Sequence, residues 1–185
     1  MTDDDLAWDT RSQSVAYTCP GFDVIHEEVA LPDGTRTDFD YLKDDPAVVV
    51  LAFTPDDDLV VIEEWRQAVG RVNRGLPAGG VEDGDGDLDE TARRELSEET
   101  GYVADAVERI GSFEPANGVA DALHHYYVAT GATPDGDQRL DDDESIRVDT
   151  TDLATLREDV LTGRVRDGRT ALGVLLYDQH RERKG

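Results

Sequence analysis

The sequence predicts an α/β fold in which a mixed β-sheet lies between helices. Three observations support this prediction. The chain has 185 residues, a length at which a single domain is the default. Strand-like apolar runs fill much of residues 14–62 and 106–148, and one helical segment, 88–100, separates these regions. Two further helical segments, 151–161 and 170–181, close the chain, and neither a repeat nor a linker interrupts this order.

The first quarter of the chain changes character near residue 14. Residues 1–13 are polar, and we expect a flexible N-terminus there. Residues 14–45 are strand-like on both sides of the turn Pro32-Asp33-Gly34, in which proline fixes φ and glycine allows a positive φ. We therefore predict an N-terminal β-hairpin region at 14–45 and assign residues 46–185 to the main domain.

Two buried strands are predicted next. Residues 47–53 form a continuous, valine-rich apolar run, which is typical of a strand buried on both faces. A turn at 55–58 leads to a second apolar run at 59–62. This run is followed by Glu63-Glu64-Trp65-Arg66-Gln67. Because residues 69–74 are rich in Gly, Arg and Asn, we predict a connection there.

The second half of the chain begins with the helix predicted at Leu88–Thr100, which ends at Gly101, a residue type common just beyond helix ends. Thr151-Asp152 can cap the second helix. A polar, acidic loop is predicted at 135–145. The strands predicted in this half are 106–113, 123–130 and 146–148.

The charge of the chain excludes several classes of partner. Its 43 Asp and Glu residues outnumber 18 Lys and Arg residues, which gives a net charge of −25. Such a surface repels nucleic acids and anionic membranes, so we expect neither as a partner. The acid coat resembles that of proteins from halophilic organisms. A single cysteine, Cys19, and an acidic rather than basic start predict a cytoplasmic protein.

Three glutamates on the first predicted helix are candidate metal ligands. Glu95, Glu98 and Glu99 lie at i, i+3 and i+4 and so share one side of the helix. At about 100° per residue, Glu99 falls inside the apolar stripe of Leu88 and Leu96, and Glu95 falls at its edge. Buried carboxylates are unfavourable unless they are paired or bind a cation, and hard divalent cations take carboxylate oxygens. A charged, solvent-exposed helix face is the alternative.

Arg94 completes this cluster, because it lies four residues from both Glu98 and Glu90. We predict that Glu95 and Glu99 bind metal and that Glu98 assists them. Arg94 then holds Glu98 or Glu90 in place.

The stretch LPAGG…RELSEETGY, which begins at Leu76, resembles the signature of the Nudix hydrolases, Gly-x5-Glu-x7-Arg-Glu-U-x-Glu-Glu-x-Gly-U, where U is aliphatic. Tyr102 replaces the last aliphatic residue. The first glutamate is missing: its position falls on Gly86 or, with a one-residue insertion, on Asp85, and Asp85 or Asp87 is a candidate substitute. The matching residues are Arg94, Glu95, Leu96, Glu98, Glu99 and Gly101.

This resemblance implies an α/β/α sandwich that hydrolyses a nucleoside diphosphate linked to another group, with Mg²⁺ or Mn²⁺ as the cofactor. It implies that the carbonyl of Ala78 completes the metal shell. Gly79 and Gly80 would let the backbone approach the phosphates without obstruction from side chains. Glu98 and Arg94 are then counted among the catalytic residues.

Features outside the signature resemble the ADP-ribose pyrophosphatase subgroup. They are the LPAGG segment, Trp65-Arg66-Gln67, the loop Phe113–Gly118 and the acidic loop before Ile146. The resemblance implies that Glu144 acts as general base or positions water, with Asp142 as a second acid. It also places Arg66 and Gly118 at the substrate.

The same resemblance implies a homodimer that exchanges N-terminal strands within residues 20–42. Tyr41, Phe39 and Trp65 are candidates for stacking on the adenine, although each could equally belong to the core.

The reaction expected is hydrolysis of ADP-ribose to AMP and ribose 5-phosphate. Three alternatives stay open. The substrate could be another small-molecule nucleoside diphosphate derivative, namely a nucleotide sugar, NADH or a dinucleoside polyphosphate. The chain could be a non-catalytic Nudix-fold ligand sensor, or a passive acidic cation binder.

Overall fold

The computed structural model describes residues 5–82, 84–141 and 144–184. Within these residues the chain forms twelve β-strands and three α-helices. The chain divides into two compact units. One contains the chain up to Asp45 together with Glu114–Leu123, and the other contains Pro46–Phe113 and the chain from His124 onward.

The first unit contains a three-stranded antiparallel sheet. Its strands are β1 (Asp9–Cys19), β2 (Phe22–Ala30) and β3 (Arg36–Lys43), in the order β1-β2-β3. The turn between β2 and β3 has Gly34 at φ 85°, and the Gly34 amide donates to the carbonyl of Leu31 over 2.8 Å. The hairpin predicted around Gly34 is therefore confirmed.

Strand β1 differs from the sequence-based expectation. It begins at Asp9, so residues 9–13 are paired with β2 and the flexibility expected for residues 1–13 is wrong for this part. Backbone pairing with β2 forms this strand. Every residue of β1 before Cys19 is exposed, so the sequence shows no alternation of buried and exposed residues that would predict it.

The second unit is built on one larger sheet with helices on both of its faces. Its strand order is β12-β5-β4-β10-β9, with β6 paired to β5 and β7 paired to β4. The short strands β8 and β11 pair with each other. The strands are β4 (Ala47–Phe53), β5 (Leu59–Arg66), β6 (Arg71–Gly75), β7 (Ala78–Gly80), β8 (Tyr102–Val103), β9 (Ala106–Phe113), β10 (His124–Thr130), β11 (Thr133–Pro134) and β12 (Ile146–Thr151). The helices are α1 (Leu88–Thr100), α2 (Leu153–Leu161) and α3 (Gly168–Lys184).

Strand β4 is the centre of this sheet, and its two faces serve two different cores. Val48 and Val50 pack in the cluster that contains Leu96 of α1. Val49 and Leu51 pack in the cluster that contains residues of α2 and α3. Because successive strand residues point to opposite faces, this burial explains the unbroken apolar run and confirms the α/β/α sandwich with a mixed sheet.

One edge of β4 is shared by two partners, and this sharing positions the next segment. Ala47–Val49 pair with β7, whereas Ala52-Phe53 pair with β5. The amide of Val50 donates to the carbonyl of Pro77 over 2.9 Å, at the point where the two partners diverge. Residues 78–80 are thereby held as a short strand beside α1.

The connection predicted at 69–74 is wrong in part, because residues 71–75 form β6.

Helix α1 has the ends that the sequence predicts. Asp87 is its N-cap, and the carboxylate accepts from the amides of Asp89 and Glu90, each over 2.9 Å. Gly101 follows the last turn at φ 72°. None of the described helices is both long enough and apolar enough to cross a membrane.

Candidate active site

Helix α1 presents two buried carboxylates to the short strand β7. Glu95 is 8% exposed and Glu99 is 2% exposed, whereas Glu98 is half-buried. This burial agrees with the helical angles, which place Glu99 in the apolar stripe and Glu95 at its edge. Their roles as metal ligands stay a prediction.

Glu99 is fixed by the backbone of β7. Its Oε2 accepts from the amide of Ala78 over 2.8 Å. Burial raises the pKa of Glu99 to about 8, although the hydrogen bond from Ala78 opposes this rise. Repulsion from Glu95, Glu144 and Glu64 adds to it, so the buried charge has several acidic neighbours.

Glu95 lies so close to Gly79 that any larger residue there would have to displace its carboxylate. A Cβ at residue 79 would overlap with the Glu95 carboxylate, whereas a Cβ at Gly80 would meet no atom within 4 Å. Burial raises the pKa of Glu95 to about 7, although Arg94 opposes this. The approach of phosphates to the backbone at these glycines stays a prediction. At Gly79, the absence of a side chain also leaves space for the Glu95 carboxylate.

Arg94 connects the helix to the loop before it. Its guanidinium donates to Glu95 over 2.7 Å, to Glu98 over 2.9 Å and to the carbonyl of Gly80 over 2.8 Å. Two further bonds, over 3.0 and 2.9 Å, reach the two oxygens of Asp85. Of the two partners expected for Arg94, the structure shows Glu98.

The other expected partner, Glu90, accepts from the amide of Gly86 over 3.2 Å instead. The two acids considered as substitutes for the missing signature glutamate have separate contacts. Asp85 pairs with Arg94, which holds the pKa of that carboxyl well below its usual range, and Asp87 caps α1.

The charge of Glu144 acts on the same acidic group. Its negative charge raises the pKa values of Glu64, Glu95 and Glu99. Its own Oε2 accepts from the amide of Asp141 over 3.1 Å, and its amide donates to the carbonyl of Asp141 over 3.1 Å. Asp142, the expected second acid, lies outside the described residues.

Arg66 borders this group on β5. Its Nη2 lies 2.7 Å from Oε2 of Glu64, a carboxylate that is only 7% exposed and was not predicted as a site residue. Burial raises the pKa of Glu64, and Arg66 and Arg169 oppose this. Glu64 follows Glu63 at the polar end of β5, and nothing in the sequence distinguishes the buried glutamate from its neighbour. Gly118 belongs to the first unit, and its predicted contact with substrate stays a prediction.

The carboxylate oxygens of Glu95, Glu98 and Glu99 are the type of ligand that a hard divalent cation binds. In the part of the chain that the structure describes, no three His, Cys, Asp or Glu side chains are already arranged to hold a metal. Glu95 and Glu98 bond to Arg94, and Glu99 bonds to the amide of Ala78. Yet Glu95 and Glu99 are buried oxygen donors that carry unfavourable charge, and a bound cation would relieve that cost.

Comparison with known proteins agrees with this architecture. The family model described as "NUDIX domain" matches residues 43–168. The ADP-ribose pyrophosphatase of Bacillus subtilis (strain 168) is 33% identical over 153 residues, which are 82% of this chain and 82% of that protein. The methanol dehydrogenase activator of Bacillus methanolicus is 32% identical over 149 residues, 80% of each chain.

A solved structure supports the fold. It is described as "Crystal structure of ADP compounds hydrolase", superposes with a TM-score of 0.84 and covers 96% of both chains at 20% sequence identity. The ADP-ribose pyrophosphatase of Mycobacterium tuberculosis is 27% identical over 67% of this chain and 60% of that protein. With a family model that spans more than half of the residues and a relative above 30% identity, the chain belongs to the Nudix family and is a Nudix hydrolase.

Proposed function

We propose that the chain is a divalent-metal-dependent pyrophosphatase that hydrolyses ADP-ribose to AMP and ribose 5-phosphate. The observation that carries this proposal is the pair of buried carboxylates Glu95 and Glu99, held against Ala78-Gly79 with pKa values raised to about 7 and about 8. The substrate is supported by the two relatives named ADP-ribose pyrophosphatase and by the resemblance of the acidic loop.

In this proposal, Glu95, Glu99 and the carbonyl of Ala78 hold Mg²⁺ or Mn²⁺, and Glu98 assists. The bound cation would neutralise the diphosphate and lower the pKa of water in the site. Arg94 bonds to both Glu95 and Glu98 and so holds the two carboxylates in place on α1.

The reaction needs a base for the attacking water. The water oxygen would attack one phosphorus of the diphosphate, and the bond from that phosphorus to the bridging oxygen would break. Glu144 would accept the proton of the water, because it is a loop carboxylate whose charge acts on both Glu95 and Glu99. Arg66, Gly79, Gly80 and Gly118 are proposed to contact the substrate.

We also propose that the protein is cytoplasmic, adapted to high salt and homodimeric. The homodimer is supported by large apolar side chains that are exposed in the first unit. They are Trp8, Val15, Tyr17, Phe22 and Phe39.

A substrate panel tests the proposal. ADP-ribose, a nucleotide sugar, NADH and a dinucleoside polyphosphate are each incubated with the protein and Mg²⁺ in concentrated KCl, and products are separated by chromatography. We expect AMP and ribose 5-phosphate from ADP-ribose at the highest kcat/KM. Preferential cleavage of another compound would change the substrate, and binding of ADP-ribose without hydrolysis would favour the ligand sensor.

A further inference from the structure

The loop that follows β11 is attached to the C-terminal end of α1 at three points. The amide of Asp135 donates to the carbonyl of Gly101 over 2.9 Å. The side-chain amide of Gln138 donates to the carbonyl of Glu99 over 2.6 Å. The amide of Arg139 donates to the carbonyl of Glu98 over 2.8 Å. These donors satisfy carbonyls that the last turn of a helix leaves without a partner.

Gln138 makes one contact that the two backbone donors do not. Its Nε2 also lies 3.4 Å from the carbonyl of Ile146, the first residue of β12. Both partners are carbonyl oxygens, so chemistry identifies the shared atom as the amide nitrogen. Gln138 is half-buried, which protects these bonds from competition with water. One side chain therefore connects the carbonyl of Glu99 to a residue two positions after Glu144.

This connection links the proposed metal-binding helix to the loop that carries the proposed base. Glu99 belongs to the rigid helix, whereas Glu144 belongs to a loop. Within the described residues, the Glu144 carboxylate accepts one hydrogen bond, from the nearby amide of Asp141. A loop residue needs such an anchor if its carboxylate is to stay directed at the metal-binding carboxylates, because small displacements of a catalytic group slow reactions strongly.

We propose that Gln138 is a positioning residue that sets the position of Glu144 relative to α1. This inference rests on the proposed function, in which Glu144 handles the proton of water. The bond to Glu99 ties Gln138 to α1, and the contact with Ile146 ties it to the residue two positions after Glu144. Loss of the amide removes this one link, while the backbone bonds of Asp135 and Arg139 to α1 remain.

The test is a double-mutant cycle between Gln138→Met and Glu144→Gln, measured with Mg²⁺ and the best substrate of the panel. Methionine has a similar length but no amide donor. We expect Gln138→Met to lower kcat about tenfold, with KM and the Mg²⁺ concentration for half-maximal rate within about twofold of the wild type. In the Glu144→Gln background, Gln138→Met should cause no further loss.

Controls separate positioning from a loss of helix stability. Gly136→Ala changes the same loop where a Cβ meets no atom within 4 Å, so its kcat should equal that of the wild type. Gln138→Asn keeps the amide donor on a shorter side chain, so its kcat should lie between those of the wild type and Gln138→Met. If Gln138→Met does not fold, Gln138→Asn takes its place in the test.

Three results would overturn the inference about Gln138. The first is a double variant in which the two losses of kcat multiply. The second is a Gln138→Met variant that needs a different Mg²⁺ concentration for half-maximal rate. The third is an unchanged kcat in Gln138→Met. A wild-type rate in Glu144→Gln would instead show that the base assignment within the proposed function is wrong.

Discussion

At the residue scale, the carboxylates of the site differ in what surrounds them. Glu95 and Glu99 face β7 from the same helix, and desolvation dominates the pKa of each. Asp85 is only half-buried, and Arg94 bonds to both of its oxygens and keeps it charged. Glu95 and Glu99 therefore store an unfavourable charge that a cation can relieve, whereas Asp85 serves the structure of the loop.

Replacement of Glu99 by Gln should separate activity from stability. The raised pKa means that the folded protein binds a proton more readily than the unfolded chain. Its contribution to stability is fully present below about pH 4.5 and is lost as pH rises through about 8. Gln cannot titrate and can still accept from the amide of Ala78. Without metal at pH 9, the variant should be roughly 3–5 kcal/mol more stable than the wild type.

Chemical denaturation in EDTA at pH 5 and pH 9 measures this difference, and it should be small at pH 5. With Mg²⁺, turnover of the variant should fall about a thousandfold or more. Retention of activity would remove Glu99 from the metal site. Equal stability of the two proteins at both pH values would show that the carboxylate is not held at a desolvation cost.

Several residue contacts could not be predicted from the sequence. The helical angles indicate that Glu95 and Glu99 are buried, because that pattern is local. The bonds of Arg94 to Asp85 and to the Gly80 carbonyl depend on how the preceding loop folds back. Gln138 has no periodic neighbours and sits in a polar loop, so nothing in the sequence distinguishes it.

At the element scale, the contact between α1 and β7 sets the geometry of the site. The bounds of helix α1 could be predicted, since the apolar stripe and Gly101 are local signals, whereas the cap at Asp87 was not predicted. Strand β7 could not, because it has three residues, two of them glycine, and its partner Val49 is far along the chain. Strand β6 was missed for a similar reason, since its polar residues gain strand structure only by pairing with β5.

Gly79→Ala should disturb this contact specifically. The added methyl group would overlap with the Glu95 carboxylate, so that carboxylate must move away from β7. We expect the Mg²⁺ concentration for half-maximal rate to rise about tenfold or more. Gly84→Ala is the matched control in the preceding loop, because a Cβ there meets no atom within 4 Å. A normal Mg²⁺ requirement in a folded Gly79→Ala protein would contradict the role of Glu95 as a ligand.

At the scale of the whole molecule, net charge dominates. A charge of −25 on 185 residues repels itself in dilute buffer, and dissolved salt screens this repulsion. The fold class could be predicted from the order of elements, because apolar runs and helix signals survive the acidic composition. That Glu114–Leu123 belongs to the first compact unit could not be predicted, since this segment joins the N-terminal residues through pairing of distant segments such as Leu42 with Ala120.

Salt should stabilise the protein strongly. Between 0.1 M and 1 M KCl the screening length falls from about 10 Å to about 3 Å. We expect the melting temperature to rise by on the order of 5–10 °C over this range. Na₂SO₄ at matched ionic strength is the control. If the melting temperature depends on ionic strength in the same way for both salts, screening is the cause. A melting temperature that is independent of salt would contradict adaptation to high salt.

The parallel pairing of β4 with β10 also affects how the protein folds. Ala47 pairs with His124 and Phe53 with Thr130, so the paired residues are 124 − 47 = 77 positions apart. During synthesis, β4 and α1 leave the ribosome well before β10 can pair with β4. An apolar strand edge therefore stays open until this distant pairing forms, and such pairing is slow. Refolding should accordingly be limited by insertion of β10, and aggregation should compete with that step.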